Sequence, residues 1–136
     1  MVKIVVDSYA WIEIFLGSDK GHSALETIDD ADLVITPETV LAEISRKYLR
    51  EGAKEQTIRK RLKTISESSE VSGIDESIAL ESGKAYLEVE NIAKKSKNNR
   101  PSLFDAIVLA TARVNEAKVL TGDPHFSGLP ETIWLE

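Results

Sequence analysis

A chain of 136 residues with 42% hydrophobic side chains has the size and composition of one globular unit with one core. No window approaches the roughly 18 apolar residues of a membrane span. With no cysteine, disulfides, thiolate metal sites and thiolate nucleophiles are excluded. The net charge of −6 argues at first against a polyanionic partner, but its distribution is uneven. Residues 46–63 and 94–100 hold 12 of the 17 Lys and Arg and only Glu51 and Glu55 as acids, so they carry +10 against −16 for the remainder. A polarised molecule can meet a polyanion on its basic side; the plain alternative is a solvated helix face. The opening MVKIVVDS lacks the positive start, long apolar run and cleavage site of a secretory leader, so a cytoplasmic protein with no membrane partner is expected.

The first predicted element is the β-branched run KIVV (3–6), a buried strand ending at Asp7. SYAWIEIFLG follows directly as a helix, with Ser8 as N-cap and Gly17 as stop. GHSALETI (21–28) is a second helix and LVIT (33–36) the next strand. Thr36-Pro37-Glu38 reads as a cap, a first-turn proline and an early acid, opening a helix through ETVLAEISRKYLR to Gly52. KEQTIRKRLKTISES is helical, EVSGI a weak strand, and DESIALESGKAYLEVENIAKK a long amphipathic helix. KSKNNRPS (95–102) is a loop and the expected mobile segment. SLFDAIVLATARVNEA is a helix apolar on most sides, hence buried, and KVLT (118–121) and TIWL (132–135) are the last strands. Strands alternate with helices throughout, which predicts one α/β domain over residues 1–136, a parallel sheet with helices on both faces.

Ligands of open α/β sheets bind outside the carboxyl ends of the strands. Asp7 and Asp123 stand at two such ends, and Asp105 lies in the first turn of the most apolar helix. Glu43 borders the stripe formed by Val40, Leu41, Ile44 and Tyr48, so it can look inward along a rim. Each acid also has a plain structural explanation. Asp7 can cap a helix, Ser102-x-x-Asp105 resembles a capping box, Asp123-Pro124 is a turn dipeptide, and Glu43 can be a surface residue. Asp105 strains this view most, since LFDAIVLA sets its carboxylate at the edge of an apolar interior. If the four converge, their repulsion needs a counter-charge, and no Lys or Arg adjoins Asp7, Asp105 or Asp123 in the sequence. A hard divalent cation, Mg²⁺ or Mn²⁺, is the natural partner, with Ser8 and Thr121 as supporting hydroxyls.

The segments IVVDSYAWIE, PETVLAEISRK, SLFDAIVLATA and VLTGDPHF resemble, in this order and spacing, the PIN-domain ribonucleases, particularly the VapC-like toxins. That resemblance spans nearly the whole chain. It implies a Rossmann-like three-layer α/β/α fold with a parallel central sheet. It further implies a metal site from Asp7, Glu43, Asp105 and Asp123, metal-dependent cleavage of RNA, and a toxin held inactive by a small antitoxin. Arg46, Lys47, Arg50, Arg59, Lys60 and Arg61 are then the candidate RNA contacts. Two alternatives stay open: a non-catalytic RNA- or protein-binding module of the same scaffold, and a free-standing RNA-processing nuclease. A dinucleotide site is excluded, because the turn after the first strand is Asp7-Ser8-Tyr9 rather than glycine-rich. An apolar surplus around Trp11, Ile12, Phe15 and Leu16 is either core or a docking face for an antitoxin or a second subunit, and a homodimer is expected. His125 follows Asp123-Pro124 and either approaches the acids or, as expected, is a partly exposed turn histidine, and His22 has no evident partner.

Overall fold

Strands and helices alternate along the chain as β1 (Lys3–Val6), α1 (Ser8–Leu16), α2 (Asp19–Asp30), β2 (Leu33–Pro37), α3 (Glu38–Arg50) and α4 (Glu55–Ser68). They continue as β3 (Glu70–Ser72), α5 (Glu76–Ser96), α6 (Leu103–Val114), β4 (Lys118–Thr121), a 3-10 turn (Pro124–Phe126) and β5 (Thr132–Trp134). The computed structural model describes residues 1–96 and 99–136. Lys97 and Asn98 lie outside the described residues, and with them the centre of the loop expected over 95–102 and part of the basic segment 94–100. Among the described residues no helix is long and apolar enough to cross a membrane.

The five strands are all parallel, in the order β3-β2-β1-β4-β5. In the central strand β1, Ile4, Val5 and Val6 are fully buried, as are Val119 and Leu120 of β4. Strands buried on both faces need a helical layer on each side, and six helices supply them. This is the three-layer α/β/α architecture expected from the sequence. β1 pairs with β2 on one side (Ile4 beside Val34) and with β4 on the other (Val5 beside Val119). The chain therefore turns in opposite directions from the carboxyl ends of β1 and β4, which opens a crevice there. Asp7 and Asp123 follow these two strands immediately.

α6 is buried from Ala106 to Ala112 without interruption, as its apolar run requires. A crossover helix runs antiparallel to the strands it joins, so the first turn of α6 lies at the carboxyl edge of the sheet. The sequence thereby delivers Asp105 to the crevice without any long-range recognition.

Three local expectations are corrected, and one open choice is decided. Asp7, not Ser8, is the N-cap of α1: its backbone is extended and its side chain accepts from Ala10 N. α2 starts at Asp19, capped by Ser18, so Gly21 is an interior residue and not a boundary. A Cβ on Gly21 would sit 2.2 Å from Glu13 O, so glycine is needed for the close crossing of α1 and α2. Thr36 does not cap α3. Its hydroxyl accepts from Trp11 Nε1 at 3.2 Å and bonds Ser69 Oγ at 2.7 Å, while β2 runs on through Pro37. Finally, Trp11 is a core residue, stacked on Phe15 at 6.1 Å between ring centres. The apolar surplus of α1 is thus mostly interior, with Leu16 its one strongly exposed large side chain.

Candidate functional site

Each of three acids at the crevice is oriented by a capping interaction. Asp7 Oδ1 accepts from Ala10 N at 3.0 Å, and its Oδ2 accepts from Thr121 Oγ1 at 2.5 Å. Thr121 Oγ1 in turn accepts from Asp123 N at 3.0 Å, so one buried hydroxyl ties the ends of β1 and β4 together. Asp123 Oδ1 accepts from His125 N at 2.9 Å and starts the 3-10 turn. Asp105 forms a full capping box: its amide donates to Ser102 Oγ at 3.2 Å, and its Oδ2 accepts from Ser102 N at 3.0 Å. Capping and convergence are therefore not alternatives at these positions; the cap aims the carboxylate.

Glu43, in the second turn of α3, completes the group. Burial pushes its carboxyl up to about 7, the nearby charges of Asp105 and Asp123 push the same way, and only Arg46 opposes them. Asp7 is likewise pushed up to about 7, first by burial and then, against its two hydrogen bonds, by Asp123 and Asp105. Burial also raises Asp105, assisted by Asp123. The Asp123 charge acts on Asp7, Glu43 and Asp105, and the Asp105 charge on Asp7 and Glu43; the donor atoms of Asp105, Asp123 and His125 lie within 4.8 Å of one another. Among the described residues no Lys or Arg forms an ion pair with any of them; the only basic partner is His125, 3.2 Å from Asp123 Oδ1 and 3.5 Å from Asp105 Oδ2.

A hard divalent cation fits this donor set. Asp105 and Asp123 bring carboxylate oxygens within 4.8 Å of each other and of a His125 nitrogen. Asp7 and Glu43 add carboxylates that, drawn out of solvent, feel the charges of both, an arrangement Mg²⁺ or Mn²⁺ would relieve. Thr39, one turn before Glu43 on the same helix face, has a buried hydroxyl with no hydrogen-bond partner. A hydrated ion brings water to such groups.

The remaining predicted residues divide. Ser8, Glu43, Arg46, Lys47 and Arg50 line one groove of about 320 Å³, which sets the basic side of α3 beside the acids. Of the α4 residues, Arg59 is paired with Glu55 at 2.8 Å and Lys60 is exposed. Arg61 lies 4.4 Å from the Tyr48 ring centre and 5.7 Å from that of Phe15, closing over the α1–α3 contact. Thr121 spends its single proton on Asp7 and so positions that acid. His125 is a partly exposed residue of the 3-10 turn, as expected, and also lies beside Asp105 and Asp123, the other placement the sequence left open. Sequence reasoning missed two things. No sequence signal marked the unpartnered hydroxyl of Thr39. A Cβ on Gly122 would lie 2.4 Å from Tyr9 Cε1, so the Tyr9 ring packs directly on the turn that presents Asp123 and would have to move for any larger residue.

The PIN domain family model matches residues 4–131. The chain belongs to the PIN domain family. None of the curated proteins matches it in sequence. Its fold is similar to that of a toxin–antitoxin complex from Klebsiella pneumoniae, at 22% identity over 98% of both chains and a TM-score of 0.68. It is also similar to VapBC2 of Rickettsia felis bound to a promoter DNA fragment, at 16% identity over 98% of this chain and 97% of that one, with a TM-score of 0.71. A third likeness is to VapC20 of Mycobacterium tuberculosis, described as a Sarcin-Ricin loop cleaving toxin, at 18% identity over 93% and 95% of the chains and a TM-score of 0.67. At such identities these likenesses establish the PIN fold and its α/β/α layers.

Proposed function

We propose that this PIN domain is a divalent-metal-dependent endoribonuclease that hydrolyses RNA phosphodiester bonds at Asp7, Glu43, Asp105 and Asp123, and that it is the toxin of a toxin–antitoxin pair. The observation that carries the proposal is the placement of Asp7 and Asp123 at the ends of the adjacent strands β1 and β4, with Asp105 within ligand distance of Asp123 and no lysine or arginine paired to any of the four acids among the described residues. Burial raises the pKa of Asp7, Glu43 and Asp105 accordingly. Perturbed carboxylates converging in a cleft favour chemistry over structure.

A bound Mg²⁺ or Mn²⁺ supplies neutralisation of phosphodiester charge and activation of water. Asp105 and Asp123, whose donor atoms lie within 4.8 Å of each other, would hold the cation. Asp7, tied to the end of β4 through Thr121, would add a carboxylate from the end of β1. Glu43 has no hydrogen bond among the described residues and opens onto the groove, so its carboxylate is free to take a proton from the attacking water. Arg46, Lys47 and Arg50 in that groove hold the RNA backbone, as cationic side chains do for any phosphate chain. Residues 1–136 act as one nuclease unit in the cytoplasm. The toxin assignment rests on the fold likeness to toxin–antitoxin structures. A homodimer is part of the proposal, with exposed Leu80 and Leu87 on α5 as its apolar surface.

The decisive assay incubates the purified protein with mixed structured RNAs in Mg²⁺, Mn²⁺ or chelator. Cleavage in either metal that stops with chelator supports the nuclease. Binding of RNA without cleavage in any metal favours the non-catalytic module instead.

A further inference from the structure

The basic groove, the apolar surface of α5 and the Arg113 ion-pair cluster all belong to readings already given or to packing. His125 does not. Its Nε2 lies 2.8 Å from the carbonyl oxygen of Asn99, which can only accept, so Nε2 carries the proton. In the neutral ring Nδ1 is then the bare, electron-donating nitrogen. That nitrogen lies 3.2 Å from Asp123 Oδ1 and 3.5 Å from Asp105 Oδ2, oxygens that in the ionised acids also only accept. One donor atom from each of Asp105, Asp123 and His125 falls within 4.8 Å of the others. Three electron-pair donors have been gathered round a common space, and the ring is locked from behind by a backbone carbonyl. This is the outer contact that fixes the tautomer of metal-ligating histidines. The backbone enforces the placement as well, since the Asp123 cap on His125 N holds the two side chains on one side of the 3-10 turn.

We infer that His125 is a ligand of the cation that Asp105 and Asp123 hold, giving it a nitrogen donor through Nδ1. The inference rests on the proposed metal site and adds a chemical preference to it. Imidazole suits the transition metals, whereas Mg²⁺ prefers oxygen and retains its waters. The site therefore favours Mn²⁺ over Mg²⁺ by more than four carboxylates alone produce. The Nδ1 position admits one rival, an imidazolium that merely neutralises the two acids and is displaced when the cation binds.

The test uses the tag-free full chain and Mn²⁺ alone as probe. His22 and His125 are the only histidines and there is no cysteine, so an imidazole nitrogen coupled to bound Mn²⁺ can be assigned. Pulsed EPR of the Mn²⁺ complex should show ¹⁴N modulation in the wild type and in His22→Ala, and none in His125→Ala. Competition titration should show the Mn²⁺-over-Mg²⁺ affinity ratio of His125→Ala reduced about tenfold. Bound Mn²⁺ without nitrogen coupling in the wild type overturns the ligand role while leaving the carboxylate site intact. Coupling that survives in His125→Ala overturns it too, and absence of any Mn²⁺ binding overturns both. If His125→Ala does not fold, coupling that is present in the wild type and unchanged in His22→Ala assigns His125, and coupling lost in His22→Ala removes it.

Discussion

At the first turn of α6, Asp105 lies beside Asp123 and its charge reaches Asp7 and Glu43, with no lysine or arginine paired to any of the four among the described residues. At the last turn of the same helix, roughly 12 Å away at 1.5 Å per residue, Arg113 gathers acids of its own. It binds Glu88 through two bonds of 2.8 and 3.0 Å and Glu131 at 2.9 Å, with Glu81 at 3.6 Å. Both ends are partly buried, and both suit the helix dipole, acid at the start and base at the end. Yet the acids shift in opposite directions. The Arg113 guanidinium holds Glu88 below its ordinary value, while burial and mutual repulsion hold Asp7, Glu43 and Asp105 above theirs. The Arg113 end is satisfied within the chain. The Asp105 end has only His125 as a basic partner among the described residues, and a bound cation is the proposed source of the missing counter-charge.

Substituting each end in turn breaks the comparison most sharply. Asp105→Asn should remove at least the ~10–100-fold of metal affinity that even outer-shell partners control, and metal-dependent cleavage with it, while the metal-free fold stays as stable or gains. Mn²⁺ titration and RNA cleavage, normalised to folded protein, measure both. Arg113→Met should do the reverse, because it strands Glu88 and Glu131. The expected loss is about 2 kcal/mol, a melting temperature roughly 6–10 °C lower, with Mn²⁺ affinity unchanged. A drop in Mn²⁺ affinity there would join two clusters that the account keeps apart.

A smaller effect distinguishes the ends by pH. Asp7 and Glu43 release their protons near pH 4 when unfolded but near 7 in the metal-free fold. Between those values the folded state binds more protons, so metal-free stability is full below about pH 4 and declines as pH rises through 7. Metal affinity runs the opposite way, since ligation needs the ionised acids. Glu88 opposes this trend with a lowered carboxyl, whose contribution appears above its unfolded value and is lost on acidification. Denaturant titrations of wild type and Glu43→Gln from pH 5 to 8 test this. The variant should show a shallower decline.

The smallest expected effect compares two basic helices beside the acidic end. Arg46→Ser with Arg50→Ser should lower RNA affinity and flatten its salt dependence by roughly one unit of slope per lost phosphate contact. Arg59→Ser with Lys60→Ser, on α4, should change the slope less. An equal loss in both pairs would remove the α3 groove as the RNA path.

The strands, the buried α6 and the three capping acids were legible because local rules govern them: β-branched runs, unbroken apolar periodicity, and Asp where a helix or turn begins. What escaped was decided by tertiary contacts. Thr36 looked like a cap but was claimed by Trp11 and Ser69 from distant elements. Gly21 looked like the start of a helix but makes room for Glu13 O, and Gly122 makes room for the Tyr9 ring. The eight basic residues of 46–63 formed one patch in sequence, whereas the fold turns Arg46, Lys47 and Arg50 toward Glu43 and uses Arg61 to cover aromatic rings. Composition located the charge, and packing chose which of it faces the site.

Thermal unfolding of wild type and Asp105→Asn at pH 7.5, each with excess Mn²⁺ and with chelator, tests the central claim without needing a substrate. The account predicts that Mn²⁺ raises the wild-type melting temperature through binding to the native state. It predicts that Asp105→Asn matches or exceeds the wild type in chelator and that most of the Mn²⁺ shift disappears. A variant clearly less stable in chelator, with the Mn²⁺ shift intact, would make Asp105 a helix cap and nothing more.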